Sequence, residues 1–379
     1  MGSLAQPTPA SPLSTDVLLI AVPFPPNQQW MDELQATYPG LQVRWVTQVN
    51  KTPPDPLPVE LFDGVTLLCT LHRQPAELLQ NVRYIQVISA GADRWITHEL
   101  YQNPDVVICT ANGAHACAPL PHPPHRINTD PPSPQIAEWV IGTWLMMSHR
   151  LLDYSAQQLQ HQRFARLNYL EIRDSPGLRM GVLGYGAIGR QCARLGHALG
   201  MEVYAYSRSD RSTPEARRDD SYCVPGTGDP EGVIPTRWFH GASREAVNEF
   251  LGQELDLLVL SLPLTEATRY IIGREQLEIL GRKRTFVSNI ARGKHIDSDA
   301  LLDALREGKI RGAALDVTDP EPLPDGHPLF TAPNVFISPH VSWQTPQLFS
   351  RIQAIIEKNL DNLVNGRPLI NVINREHHY

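Results

Sequence analysis

Gly184-Tyr185-Gly186-Ala187-Ile188-Gly189 lies between an apolar segment and an amphipathic one, and this order decides the fold. The preceding residues 178–183 predict a buried strand, and residues 190–200 predict a helix. Strand, G-x-G-x-x-G and helix in this order form the dinucleotide-binding fingerprint. We expect Gly184 to permit the tight turn, Gly186 to admit a pyrophosphate, and Gly189 to allow close packing of helix on strand. The glycines alone also fit an ordinary turn, and the flanking strands favour the fingerprint.

Strands alternate with helical segments on both sides of the fingerprint. The first series of predicted strands covers residues 17–22, 41–46, 65–69, 84–88 and 106–109, and the second covers 178–183, 202–206, 255–260, 285–289 and 312–315. Such alternation predicts parallel sheets covered by helices, so the fold class is α/β with two doubly wound domains. We place a disordered tail at 1–15, one domain at 16–133 plus 344–379, and the dinucleotide-binding domain at 134–343.

Composition excludes several classes of protein. The 379 residues are 42% hydrophobic and 19% charged with a formal charge of −7, which is typical of a soluble globular protein and disfavours a nucleic-acid surface. Apolar runs long enough for a membrane span are absent. The five cysteines are scattered without C-x-x-C spacing, which argues against a disulfide framework or zinc site and predicts a cytoplasmic location.

Three segments depart from simple alternation. Residues 134–149 are apolar nearly all round, which predicts a helix that is buried or packs on another subunit. The proline-rich stretch Ala116–Ser133 predicts an inserted loop or an artefact of the gene model. Its histidines His122 and His125, with nearby His115 and Cys117, fit no standard zinc spacing, so no metal is predicted. Residues 219–243 contain several glycines and prolines, and predict a second loop.

The end of the second strand of the fingerprint domain bears on cofactor choice. NAD-binding domains place an acid about 20 residues past the glycines to bind the ribose 2′-hydroxyl. Here the positions hold Ser207 and Arg208, with Arg211 following. Guanidinium groups match phosphate in a planar fork, which favours NADP(H). Binding of NAD(H) stays possible if Asp210 turns inward.

Three later segments each place polar residues just past a strand, where open α/β sheets bind ligands. They are Ser288-Asn289-Ile290-Ala291-Arg292-Gly293, the run from Asp316 to Leu323 that contains Glu321, and Ile337-Ser338-Pro339-His340. With the glycine fingerprint they resemble the D-isomer-specific 2-hydroxyacid dehydrogenase family over most of the chain. Ser89-Ala90-Gly91-Ala92-Asp93 resembles that family's substrate loop, and 134–139 resembles the start of its interdomain helix.

The resemblance implies a fold and a set of residue roles. It implies a Rossmann NAD(P)-binding domain and a flavodoxin-like substrate domain. Arg292 would hold the substrate carboxylate and carbonyl oxygen, His340 would be the general acid, and Glu321 would orient His340 and raise its pKa. The backbone N–H groups of Ala90 and Gly91 would complete the carboxylate site. The implied cofactor-binding residues are Gly184, Gly186, Ala187, Ile188, Gly189, Ser207, Arg208, Arg211, Leu262, Pro263, Thr268, Ile290 and Asp316.

The implied function is hydride transfer between NADPH and a small 2-oxo acid such as glyoxylate or hydroxypyruvate, by a homodimer. A dehydrogenase of phosphoglycerate or of larger 2-hydroxy acids is an alternative, although Arg94 is the one evident basic residue beside the substrate loop. A dinucleotide-sensing corepressor of the same fold is another. Trp343 departs from the simple pattern, and it either closes the substrate pocket or only packs.

Overall fold

The computed structural model describes residues 11–49, 53–112, 114, 135–160, 166–219 and 226–376. These residues form two compact units. Unit 1 contains the described residues up to 114 and those from 349 onward, and unit 2 contains residues 135–348. The helices, in chain order, are α1 Gln28–Thr37, α2 Glu99–Gln102, α3 Gln135–Ser148, α4 Leu151–Leu159, α5 Ala187–Ala198, α6 Pro214–Arg217, α7 Arg244–Leu251, α8 Arg274–Gly281, α9 Ser298–Arg306 and α10 Leu348–Val364.

Unit 1 is built on a five-stranded parallel sheet with the order β2-β1-β3-β4-β5. Its strands are β1 Val17–Val22, β2 Gln42–Thr47, β3 Leu67–Thr70, β4 Tyr84–Val87 and β5 Val107–Cys109. β1, β3 and β4 are buried throughout because helices cover both faces of a parallel sheet. Helix α10 is bonded to this unit, since Asn359 Nδ2 donates to Tyr84 Oη at 3.1 Å. The order is that of flavodoxin-like sheets.

Unit 2 is built on a seven-stranded parallel sheet with the order β12-β11-β10-β9-β6-β7-β8. Its strands are β6 Arg179–Leu183, β7 Glu202–Ser207, β8 Arg237–His240, β9 Leu257–Leu260, β10 Phe286–Asn289, β11 Gly312–Leu315 and β12 Val335–Ile337. One face is covered by α7, α8 and α9, and the other by α3 and α5. The strand order reverses between β6 and β9, as in Rossmann domains, so both α/β sheets predicted from the sequence are confirmed.

Helix α3 contributes one face to the core of unit 2. Val140 and Trp144 are fully buried, and Trp144 Nε1 donates to Ser175 Oγ at 2.9 Å. The opposite side of the helix carries half-buried apolar residues, Ile141 among them, and Leu159 in the following helix is 77% exposed. The sequence predicted a helix that is buried or packs on another subunit. The helix is buried on one side and carries apolar residues on the second, so packing on another subunit stays a prediction.

The prediction of a continuous loop over residues 219–243 is wrong at its end, where β8 pairs in parallel with β7. Glycines and prolines precede this edge strand and mask it in the sequence. Tertiary contacts hold it: Trp238 packs edge-on against Tyr185, with centroids 4.9 Å apart, and Phe239 packs against Phe250 at 5.5 Å. Because an edge strand is only half covered, its sequence carries no continuous apolar run.

Residues 11–15 were predicted to belong to a disordered tail, and for these residues the prediction is wrong. They form a turn in which Leu13 is buried and Ser14 N donates to Ser11 O at 2.8 Å. Residues 1–10 and the predicted inserted loop Ala116–Ser133 lie outside the described residues. Within the described ranges, every helix is too short or too polar to cross a membrane.

Candidate active site

The glycine turn joins β6 to α5 at the point where the strand order reverses. Gly184 has φ +102°, and a Cβ there would lie 2.8 Å from the Ser261 carbonyl oxygen. A Cβ on Gly189 would lie 2.2 Å from the Gly184 carbonyl oxygen. The first contact demands a residue without a side chain in a left-handed turn, and the second demands close approach of helix and strand. The structural roles predicted for these two glycines are confirmed.

Gly186 differs from its neighbours because it faces open space. A Cβ at this position would meet no described atom within 4 Å, and no side chain caps the helix that begins at Ala187. The first-turn N–H groups of a helix lack intrahelical partners and carry the positive end of the helix dipole. An uncapped helix start beside open space at Gly186 fits a pyrophosphate, so the residues present suit a dinucleotide. Ala187 and Ile188 lie in this first turn.

The segment after β7 carries the residues predicted to select the cofactor. Arg208 is exposed, and Ser207 Oγ donates to the Ser209 carbonyl at 2.6 Å. Arg211 donates to the carbonyl oxygen of Ala216, which ties it to the following helix. Asp210 accepts from Ser212 N at 2.8 Å, and this hydrogen bond holds the pKa of its carboxyl below the usual range. The carboxylate is thus engaged with its own loop.

Past β9, residues Leu262 to Thr268 form a loop closed by its own hydrogen bonds. Thr268 Oγ1 donates to the Pro263 carbonyl at 2.8 Å and accepts from Thr265 N at 2.8 Å. Leu262 and Pro263 are half-buried. The hydroxyl of Thr268, predicted to bind cofactor, shapes the loop that carries Pro263.

Arg292 lies three residues past the end of β10. Its carbonyl accepts from Asn289 Nδ2 at 3.0 Å, and Asn289 Oδ1 accepts from Ala291 N at 3.1 Å. The guanidinium is half-buried, and Nη1 donates to the Ala291 carbonyl at 2.7 Å. Ile290, also predicted at the cofactor site, is 8% exposed, and Ile290 N donates to the Leu260 carbonyl at 3.4 Å. The strand end therefore fixes the backbone from which the arginine projects.

His340 and Glu321 form the pair that the family resemblance implies. Their Nδ1 and Oε1 atoms lie 2.6 Å apart, and the two side chains are 37% and 38% exposed. Burial raises the pKa of Glu321, but the hydrogen bond and charge of His340, with the charge of Arg292, outweigh it and hold the pKa below its ordinary value. The carboxylate is therefore ionised at neutral pH, and the Nε2 atom of His340 is left for a ligand.

Asp316, which the family resemblance implies as a cofactor-binding residue, follows β11 and is bonded to the segment after β12. Its side chain is 1% exposed, and Oδ1 accepts from Ser338 Oγ at 2.6 Å and from Val341 N at 2.9 Å. Oδ2 accepts from Ser342 N at 3.0 Å and from the Ser342 hydroxyl. These hydrogen bonds anchor the segment that carries His340, which adopts φ +55°. The role of Asp316 at the cofactor stays a prediction.

Trp343 is tied to the same segment. Its indole Nε1 donates to the His340 carbonyl at 2.6 Å, and its own carbonyl accepts from Gln135 Nε2 at 3.1 Å. The ring packs against the core that contains α3. Of the two interpretations left open by the sequence, these contacts support packing. Neither this bond nor His295, a buried histidine three residues past Arg292, was predicted from the sequence. His295 lies between Lys294 and Ile296, and this local sequence carries no signal for a buried functional histidine.

The predicted substrate loop lies in unit 1, after β4. Ser89 Oγ donates to the Gly91 carbonyl at 2.7 Å, and the Ser89 carbonyl accepts from Ala111 N at 2.9 Å. These bonds fix the backbone of the loop, in which Ala90 and Gly91 are half-buried. Among the described residues of the chain, no cluster of three or more histidines, cysteines or acids could hold a metal ion. Residues His115, Cys117, His122 and His125 lie outside that part.

An uncapped glycine turn at a reversal of strand order defines a dinucleotide-binding α/β protein, and Arg292, Glu321 and His340 follow strands of the same sheet. The family model for the D-isomer specific 2-hydroxyacid dehydrogenase NAD-binding domain matches residues 141–224 and 235–342. The chain belongs to this family, and unit 2 carries the site for a nicotinamide dinucleotide.

Individual relatives give the same result. Glyoxylate reductase from Aeropyrum pernix is 34% identical over 200 residues, which is 53% of this chain and 52% of the relative. The chain thus spans about half the length of this relative. Glyoxylate/hydroxypyruvate reductase A from Klebsiella pneumoniae is 27% identical over 93% of this chain and 96% of its own. The fold is also similar to a crystal structure of a D-isomer specific 2-hydroxyacid dehydrogenase from Xanthobacter autotrophicus in complex with NADPH and MES. The TM-score is 0.69 at 24% identity, and the match covers 96% of this chain and all of that one.

Proposed function

We propose that the protein reduces small 2-oxo acids, glyoxylate or hydroxypyruvate, to 2-hydroxy acids with NADPH. One observation carries this proposal: His340 Nδ1 is bonded to Glu321 at 2.6 Å, and Arg292 is close enough to lower the pKa of the same carboxyl. A proton donor and a permanent cation thus lie together at the carboxyl edge of the sheet that holds the glycine turn. The reductase relatives support this substrate class.

The residues divide the reaction between them. Arg292, which stays charged, would grip the carboxylate and the 2-oxo oxygen of the substrate through its planar fork. His340 would deliver the Nε2 proton to that oxygen, because hydride addition at C2 leaves negative charge there. Glu321 would accept the hydrogen bond from Nδ1–H and orient the imidazole. A reduced nicotinamide, held by the residues of the glycine turn, would supply the hydride. The Ala90 and Gly91 N–H groups, on the unit that we assign as the substrate domain, are proposed as further carboxylate donors.

A panel of 2-oxo acids assayed with NADPH and with NADH tests the proposal. We expect the highest kcat/KM with glyoxylate or hydroxypyruvate and NADPH. Phosphohydroxypyruvate, assayed in parallel, checks the phosphoglycerate alternative, for which we expect lower kcat/KM. Absence of turnover with every acid and both cofactors would contradict the reductase and leave the corepressor alternative.

The preference for NADP(H) is proposed on the segment after β7. Arg208 and Ser207 occupy the place of the usual acid, while Asp210 is engaged with Ser212 on its own loop. A guanidinium and a hydroxyl can bind the charged 2′-phosphate of NADPH. NADH has a neutral 2′-hydroxyl at this position, so it would form no charge-assisted hydrogen bond with Arg208. The related Xanthobacter protein was solved with NADPH.

Arg208→Ala is expected to raise the Kd of NADPH about tenfold or more and to leave that of NADH within about twofold, since a charge-assisted hydrogen bond to phosphate is lost. Fluorescence titration of both cofactors measures this. The control is Arg218→Ala, which removes an exposed arginine that faces Glu231 at 3.5 Å. Equal weakening of both cofactors by the Arg208 variant would defeat the 2′-phosphate assignment.

Glu321→Gln is expected to shift the pH dependence of reduction. The low pKa of Glu321 keeps its carboxylate charged, and this charge favours the imidazolium that donates the proton. Without this charge the imidazolium is less favoured, so the alkaline midpoint of kcat/KM should move to lower pH. The Glu321→Asp variant keeps the charge and serves as control. A pH profile that does not move would count against the pairing as a source of catalytic power.

We also propose that the protein forms a homodimer and works in the cytoplasm. The half-buried apolar side of α3 and the exposed Leu151 and Leu159 of α4 support an interface between two copies. Cys69, Cys109 and Cys192 are free thiols in buried positions, which suits a reducing compartment.

A further inference from the structure

His295 lies at the end of the short turn that follows Arg292, and its side chain is fully buried. Its Nδ1 atom accepts a hydrogen bond from the Arg292 backbone N–H at 3.2 Å. A backbone N–H only donates, so Nδ1 carries no proton and the proton of the neutral ring lies on Nε2. Nε2 is 3.3 Å from the Pro263 carbonyl oxygen and donates to it. One tautomer therefore serves two partners.

The two partners belong to different loops with different proposed tasks. Arg292 follows β10 and would bind the substrate, whereas Pro263 follows β9 and is one of the residues implied to bind the cofactor. The Pro263 carbonyl also accepts from Thr268 Oγ1 at 2.8 Å, and the Arg292 carbonyl from Asn289 at 3.0 Å. His295 is thus a side chain bonded to the backbone of both loops.

The turn that carries His295 packs closely against its neighbours. Gly293, between Arg292 and His295, allows no side chain, since a Cβ there would lie 1.9 Å from the Thr318 carbonyl oxygen. Backbone bonds from Tyr270 N to Lys294 O and from Ile272 N to His295 O hold the turn from the other side. Backbone contacts therefore fix the turn that carries His295. Loss of the Nδ1 bond would act on the backbone of Arg292, and loss of the Nε2 bond would act on the loop that contains Pro263.

We propose that His295 is a positioning residue whose two nitrogens have separable effects: Nδ1 sets Arg292 for the 2-oxo acid, and Nε2–H sets the Pro263 loop for the nicotinamide cofactor. This inference rests on the proposed function, because it assigns the substrate side to Arg292. It predicts that the two binding steps can be weakened one at a time at a single residue.

Two substitutions separate the nitrogens. In His295→Asn the amide oxygen can take the place of Nδ1, so the bond to Arg292 is kept and that to Pro263 is lost. In His295→Gln the amide NH₂ can reach the place of Nε2, so the bond to Pro263 is kept and that to Arg292 is lost. The amide groups supply the required acceptor and donor.

We expect His295→Asn to raise the Kd of NADPH about threefold to tenfold and to leave the KM of glyoxylate within about twofold, because one hydrogen bond is lost on the cofactor side. His295→Gln should show the reverse. Fluorescence titration gives the Kd of NADPH without turnover, and steady-state kinetics at saturating NADPH give the KM. Thermal melts of both variants and of His295→Leu, which lacks both bonds, report on folding.

The outcomes separate the two proposals. If both variants raise both constants in proportion to the loss in Tm, His295 is only structural and the inference is overturned. If the wild type turns over no 2-oxo acid, the proposed function fails, and the NADPH titration of the two variants still decides the Pro263 half. A crossed pattern, with one constant changed in each variant, supports the inference.

Discussion

His340→Ala is expected to lower kcat for reduction of a 2-oxo acid about 1000-fold, while the Kd of NADPH stays within about twofold. A positioned general acid contributes 10²- to 10⁴-fold, and the bond to Glu321 at 2.6 Å leaves Nε2 as the proton donor. The glycine turn before α5 is formed by other residues, so we expect cofactor binding to be kept. Stopped-flow measurement of NADPH oxidation and fluorescence titration of NADPH give the two numbers.

The matched control is His197→Ala, which removes an exposed histidine in the last turn of α5 and should leave kcat unchanged. A His340→Ala enzyme with kcat within threefold of the wild type would remove this residue from proton transfer. A parallel loss of NADPH binding would indicate instead that the segment anchored on Asp316 had collapsed, and the role of the ring would then be structural.

Arg292→Ala should lower kcat/KM for the 2-oxo acid about 1000-fold, because two charge-assisted hydrogen bonds to the substrate are lost together. Arg292→Lys keeps the charge but not the planar fork, so we expect it to recover only part of the loss. The guanidinium projects from a backbone fixed by Asn289, which keeps the substitution local.

Steady-state kinetics with glyoxylate at saturating NADPH measure this effect. Lys294→Ala removes a positive charge two residues away, from an exposed side chain, and is the control for a general loss of positive charge. If Lys294→Ala lowers kcat/KM for glyoxylate as much as the Arg292 variants do, the effect is long-range electrostatics. The proposed direct bond between Arg292 and the substrate carboxylate would then be wrong.

The elements with a continuous apolar sequence could be located before the structure was known. Strands such as β1 and β9 are buried on both faces, so their hydrophobic runs are unbroken. Gly189 is required by a backbone contact with Gly184 inside the same local motif. The pair formed by His340 and Glu321 was implied by the family motif and is present in the structure. These predictions rested on signals that lie close together in the chain.

The rest of the candidate site depends on contacts distant in sequence. His295 meets Pro263 across 32 residues, and Asp316 meets Ser342 across 26. A side chain bonded to distant backbone leaves no local pattern, which is why the hydrogen bonds of Asp316 to the segment after β12 were not predicted from the sequence. The strand β8 was missed for a related reason, since its hold on the sheet comes from Tyr185 and Phe250.

The most direct test of the central claim is the reaction of hydroxypyruvate with NADPH, followed by chiral analysis of the product. Reduction by Arg292, Glu321 and His340 predicts one glycerate formed for each NADPH consumed, and the D-isomer specific family predicts the D-isomer. No consumption of NADPH would contradict the claim that these three residues reduce a 2-oxo acid, and formation of the L-isomer would contradict the D-specificity.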